Sequence, residues 1–235
     1  MSIKAVLFDM DGVLLDAKEW HYEALNKALV EKGFPPISRQ DHLTIYDGLP
    51  TRIKLQRHLP NVTEEVRKEV NTLKQQYVLE IAEKLCRENV LHIEALSELK
   101  KEGYHLAVCS NSIRNFIDKM MIKTQIKQYL DFFLSNQDVT SSKPNPEIYN
   151  TAINKLGLTP EEVVICEDNP HGLQAARASG AHVFQVKTVN DVCYENLKKF
   201  IEELNGVRNN ENRELDQNGQ RVVRGKLYAH GTQHK

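Results

Sequence analysis

Apolar residues gather into short continuous runs that each stop on a polar cluster. KAVLF at residues 4–8 halts at Asp9-Met10-Asp11-Gly12. HLAVC halts at Ser110-Asn111-Ser112, VVIC at Glu167-Asp168-Asn169, and HVFQV spans residues 182–186. Unbroken apolar runs of this length mark strands buried on both faces, which is the habit of a parallel sheet. The segments between them change period. Ile93, Leu96 and Leu99 precede Gly103, and Ile148, Ala152 and Leu156 precede Gly157. These are helical stripes with a glycine stop. Alternation of the two patterns predicts an α/β fold: a Rossmann-like parallel sheet core flanked by helices.

The pattern breaks once. Residues 16–89 carry helical periodicity and almost no strand-like run, with helices expected near 17–32, 38–43, 51–59 and 63–87. This stretch reads as an inserted all-α cap domain, which leaves 1–15 and 90–205 as a discontinuous α/β catalytic core. Residues 206–235 are polar and glycine-punctuated and read as a tail. Arg221, Arg224, Lys226 and Lys235 lie there and read as solvated charges, with an anion or partner site as the alternative.

Composition narrows the partners. The chain has 235 residues, 40% hydrophobic and 27% charged, and its 31 Lys and Arg against 32 Asp and Glu leave a net charge of -1. No general positive field exists to hold nucleic acid or an anionic membrane, so a small ligand is the expected partner. No apolar run approaches the roughly 20 residues of a membrane span, and a cytoplasmic location is expected. Cys86, Cys109, Cys166 and Cys193 are far apart in sequence and are expected to be reduced thiols.

The chemistry concentrates at the strand ends. Asp9 and Asp11 flank one residue, and Gly12 lets the chain turn sharply out of the sheet. Asp-x-Asp-Gly also opens calcium loops, but here Val13, Leu14 and Leu15 follow where further oxygen ligands would stand. Ser110 and Asn111 suit either a helix cap or a grip on phosphate oxygens. Lys143 sits in Ser-Ser-Lys-Pro-Asn-Pro, a solvated loop charge if taken alone. Glu167 and Asp168 form a second acidic strand end. Two such ends meeting in a dry crevice would repel strongly, so their convergence predicts a cation between them, and hard carboxylate oxygens suit Mg2+.

Taken in order, Asp9-Met10-Asp11-Gly12-Val13, Ser110, Lys143 and Glu167-Asp168 resemble the four motifs of the haloacid dehalogenase-like hydrolase superfamily. The resemblance covers about residues 3–190, and the helical insertion is similar to the cap of its β-phosphoglucomutase and phosphoglycolate phosphatase branch. It implies that Asp9 is a nucleophile that becomes an aspartyl-phosphate. Asp11 would be the general acid and base, and Ser110 and Lys143 would hold the phosphoryl group. Magnesium would be held by Asp9, Asp168 and the Asp11 backbone carbonyl, with Glu167 acting through metal-bound water. Asp11 must be protonated to donate and Asp9 ionised to attack, so metal and lysine beside Asp9 are expected to separate their pKa values in that sense.

Asn111 from the core and His21, Thr51 and Arg52 from the cap are expected substrate contacts. The loop Asp47-Gly48-Leu49-Pro50-Thr51-Arg52 resembles the family's specificity loop, although Thr51 stands where the mutases carry a phosphate-binding arginine. A phosphatase acting on a small phosphorylated metabolite is therefore the expected activity. A phosphomutase and a non-catalytic binding protein on the same fold are the alternatives.

Overall fold

The computed structural model describes residues 2–211. Its centre is a five-stranded parallel sheet of order β3-β2-β1-β4-β5. The strands are β1 (Ala5–Phe8), β2 (His105–Cys109), β3 (Phe132–Leu134), β4 (Val163–Glu167) and β5 (His182–Gln185). The Rossmann-like reading of the core therefore holds. In β1 and β4 every residue is buried, because each strand has sheet on both sides and helices on both faces. The edge strands β3 and β5 are only partly covered.

Strand alternation divides the core in two. Val6, Phe8, Leu106, Val108, Val164 and Cys166 face helices α5 (Val90–Lys101), α6 (Arg114–Lys123) and α9 (Tyr194–Glu211). Ala5, Leu7, Ala107, Val163 and Ile165 face α7 (Glu147–Leu156) and α8 (Pro170–Ala178). The chain passes outward from β1 to β2 and β3, then returns to the far side of β1 as β4. Strand order reverses between β1 and β4, which opens a crevice beyond their carboxyl ends. Asp9 follows β1 there, and Glu167 and Asp168 close β4.

The segment between β1 and α5 is helical. Helix α1 (Lys18–Glu31) packs along α4 (Glu64–Leu85), joined by the single turn α2 (Arg39–Asp41), a π-helical turn (His42–Tyr46) and α3 (Thr51–His58). Leu25, Leu29, Leu55 and Val70 form its own small core. Val78 and Ala82, further along α4, join the main core instead, so α4 spans both.

Three differences from the expected elements stand out. The short strand β3 was not anticipated. The expected helix at 38–43 is one α-turn continued as a π-turn. Helix α9 continues to Glu211, past the expected start of the tail, and the remainder of that tail with its basic residues lies outside the described residues. Three of the four cysteines are buried, and all are free thiols. Among the described residues no helix is long and apolar enough to cross a membrane.

Candidate active site

The carboxyl ends of β1 and β4 bring three carboxylates together. Ligand oxygens of Asp9, Glu167 and Asp168 lie within 4.8 Å of one another. Lys143, from the loop before α7, reaches between two of them: its Nζ donates to Asp9 Oδ1 at 2.7 Å and to Glu167 Oε1 at 2.6 Å. Its side chain is 4% exposed, so this is a buried charge held by two partners. Asp9 and Glu167 together outweigh the burial of the ammonium and raise its pKa.

Glu167 is fully committed. Oε1 accepts from Lys143 and from the Tyr149 hydroxyl at 2.7 Å, and Oε2 accepts from the backbone N–H groups of Asp168 and Asn169. It orients Lys143 and braces the β4 turn, with no lone pair left over for direct metal ligation. Tyr149 is wholly buried, and the Lys143 ammonium lies 4.7 Å from its ring centre.

Asp168 is different. Its Oδ2 accepts from Lys18 at 2.6 Å, and its Oδ1 is buried without a partner. Burial raises the Asp168 carboxyl, against the opposing pull of Lys18. Gly12, at φ +95°, lies so close that an added Cβ would stand 2.3 Å from Asp168 Oδ2. A buried orphan carboxylate oxygen beside the Asp9 carboxylate, with Glu167 adding negative charge behind them, is a setting that a hard divalent cation fits.

Asp11 turns the other way, toward the helical insertion. Its Oδ2 accepts from the Ser112 hydroxyl at 2.9 Å, and its Oδ1 lies 3.2 Å from His21 Nε2. On the far side of that ring, Lys74 Nζ is 2.9 Å from Nδ1. An ammonium can only donate, so Nδ1 is the acceptor and Nε2 carries the proton given to Asp11. Burial and the Lys74 charge together lower the pKa of His21. Burial also pushes Lys74 down to about 8.

With lysine alone acting on Asp9, the two aspartates lie in the opposite order to that expected for metal and lysine together. Burial lifts the Asp9 carboxyl well above its usual range, with Lys143 opposing and Glu167 and Asp11 adding to the rise. Burial acts upward on Asp11 too, but His21, Ser112 and Lys74 overcome it and hold the carboxyl low. The single Lys143 charge is shared with Glu167, while Asp11 sits among donors.

The other expected contacts are distributed unevenly. Ser110 is buried at the end of β2, and its Oγ accepts from the Ser112 N–H, which leaves its own proton to donate. Asn111 is turned onto the backbone of Lys143, accepting from its N–H at 3.2 Å and facing its carbonyl at 3.5 Å. It positions that lysine. His21 is in the site. Thr51 opens α3 half-buried, whereas Arg52 is exposed and forms no ion pair among the described residues. Lys54, one turn along from Pro50, is the cation of that helix that faces the site. Burial lowers its pKa, and Asp47 and Asp11 are the charges that oppose the shift.

A parallel sheet with a lysine-bound aspartate at its switch point, roofed by helices that carry His21 and Lys74 against Asp11, is the arrangement of an aspartate-centred α/β hydrolase. The chain belongs to the haloacid dehalogenase-like hydrolase family, whose sequence model matches residues 6–186. It is 29% identical over 183 residues to a phosphorylated carbohydrates phosphatase of Thermotoga maritima, covering 76% of this chain and 82% of that one. A phosphoglycolate phosphatase of Aliivibrio fischeri is 26% identical over 189 residues, covering 78% and 83%. Among solved structures, a β-phosphoglucomutase of Clostridium difficile superposes with a TM-score of 0.74 at 21% identity, over 86% of this chain and 98% of that one. That last likeness is one of fold.

Proposed function

We propose that this enzyme is a magnesium-dependent phosphatase that hydrolyses a small phosphorylated metabolite through an aspartyl-phosphate on Asp9. The observation that carries the reading is the Lys143 ammonium held on Asp9 Oδ1, next to an Asp168 oxygen that has no partner. Asp9 and Asp168 side chains and the Asp11 carbonyl would hold the metal, with Glu167 behind them as the anchor of Lys143. Bound magnesium supplies charge neutralisation for the phosphoryl oxygens.

In the first half, an Asp9 oxygen bonds to phosphorus as the bond from phosphorus to the leaving alcohol breaks, and Asp11 gives its proton to the departing oxygen. In the second, water bonds to phosphorus, Asp11 takes a proton from it, and the bond to Asp9 breaks to release phosphate. Lys143 and the Ser110 hydroxyl bind the phosphoryl oxygens throughout. With His21 and Ser112 both donating to it, Asp11 is drawn as the base of the second half. The first half requires one donor to withdraw, and His21 is the one carried on the helical insertion.

Substrate choice falls to that insertion. Lys54 brings a charge toward Asp11, beside which the leaving group must stand, and Lys74 adds a second from behind His21. Their presence supports a leaving group with an anionic or strongly polar end, such as a sugar or a small hydroxy acid. The names of the Thermotoga and Aliivibrio relatives describe substrates of those two kinds.

Phosphate release from a panel of sugar phosphates, phosphoglycolate and p-nitrophenyl phosphate tests the reading. Turnover is expected with Mg2+, and none in EDTA. Absence of release across the panel refutes it. β-Glucose 1-phosphate with a bisphosphate primer is expected to give free phosphate, and glucose 6-phosphate as the sole product would make the enzyme a mutase.

A further inference from the structure

The carboxylate cluster contains one cation that the proposed reaction does not use. Lys18 is the first residue of α1, so its 2.6 Å ion pair with Asp168 joins the start of the helical insertion to the turn after β4. The two lysines of the cluster are held differently. Lys143 is 4% exposed and bound by two carboxylates, whereas the Lys18 side chain is 48% exposed and bound by one. A buried ammonium cannot leave without stranding charge, but a half-exposed one can swing back into water on its flexible stem.

Asp168 has the opposite character. Its side chain is 4% exposed, Lys18 is its one ion-pair partner among the described residues, and its second oxygen has none. Three carboxylates face two ammonium groups, so the cluster is one positive charge short and one ligand contact short. A divalent cation supplies both: the free Oδ1 of Asp168 gives it a ligand, and its two charges where one is lacking make the Lys18 ammonium surplus.

We propose that Lys18 is a built-in competitor for the metal: its ammonium satisfies Asp168 in the metal-free enzyme and is displaced when a divalent cation binds. This rests on the magnesium reading above. Lys18 then sets the metal affinity below what the carboxylates alone would give, and it keeps Asp168 in place while the metal is away.

Calorimetric titration of Mg2+ into the full chain, stripped with EDTA and dialysed, tests this with wild type, Lys18→Met, Lys18→Gln and Lys18→Arg. Removing one positive charge a few ångströms from a divalent ion should tighten binding on the order of tenfold in the Met and Gln variants. The Arg variant should stay within about threefold of wild type, since it keeps the charge. The melting temperature should rise more on adding Mg2+ in the Met and Gln variants than in wild type. Dissociation constants for Met and Gln equal to or weaker than that of wild type overturn the proposal and leave the magnesium reading standing. If no protein of the set binds Mg2+, the magnesium reading fails and this proposal falls with it.

Discussion

Lys143→Met removes the ammonium from between Asp9 and Glu167 while nearly preserving its volume. Both bonds to Lys143 are short, and the side chains of Lys143, Asp9 and Glu167 are 4%, 11% and 1% exposed. Screening by water is therefore weak. Breaking a buried ion pair by deleting one partner typically costs about 3–5 kcal/mol, because the remaining charge is stranded. For a protein of this size each kcal/mol moves the melting point by about 2–4 °C, so a fall of about 10 °C is expected at pH 7 in EDTA. The pH dependence sharpens the test. Burial already holds the Asp9 carboxyl above its usual range with Lys143 opposing, and loss of that opposition lifts it further. A carboxyl whose folded pKa exceeds its unfolded value binds more protons folded than unfolded. Its contribution to stability therefore falls as pH rises through the interval and is recovered on acidification. The deficit of the variant should be largest at pH 7–8 and shrink toward pH 5. Thermal denaturation at pH 5, 6, 7 and 8 reads both effects. A variant within about 2 °C of wild type at pH 7, or a deficit that grows on acidification, would refute the assignment of this ion pair.

Two further perturbations follow from the same geometry. Gly172→Ala in α8 would place a Cβ 1.9 Å from Glu167 Oε1, the atom that holds Lys143 and Tyr149. The substitution should cost about 1–3 kcal/mol and lower kcat more than it raises KM, and unchanged kcat with normal stability would count against Glu167 as the anchor. Lys74 has a folded pKa of about 8, below its usual 10.5, because it is buried. The unfolded chain binds the extra proton between those values, so stability from this group rises with pH from about 8 to 10.5, by up to roughly 3 kcal/mol. The stability difference between wild type and Lys74→Met should drift across pH 7–10 accordingly, and a flat difference would contradict the burial of a charged Lys74.

The strand ends were legible because β1, β2 and β4 are covered on both faces and therefore read as unbroken apolar runs that end where the crevice opens. Strand β3 escaped because an edge strand of Phe132–Leu134 is too short to set up a period. The aspartates and Lys143 could be picked out as a constellation, but not which bonds they make. Asn111 looks like a ligand in a polar tripeptide, and only the fold turns it onto the Lys143 backbone. Arg52 and Lys54 are two residues apart on a helix, so they point to different faces, and loop resemblance favoured the one that faces water. Lys74 did leave a signal: it interrupts the buried stripe Val70, Val78 and Ala82 at helical spacing, where a lysine is out of place unless something polar receives it. Tyr149 left none, since an aromatic beside Ile148 in α7 reads as ordinary core. Lys18 and Ser112 depend on contacts across more than a hundred residues of chain and have no local pattern.

The proposed reaction depends on Asp9 as the nucleophile that takes the phosphoryl group. Acid-quenching the enzyme during turnover of p-nitrophenyl phosphate with Mg2+, reducing with borohydride and mapping the peptides by mass spectrometry tests it directly. An acyl phosphate on Asp9 is reduced to homoserine, so homoserine at position 9 is expected in wild type and no turnover in Asp9→Asn. Turnover accompanied by an unmodified Asp9, or by homoserine at another aspartate, would contradict the account.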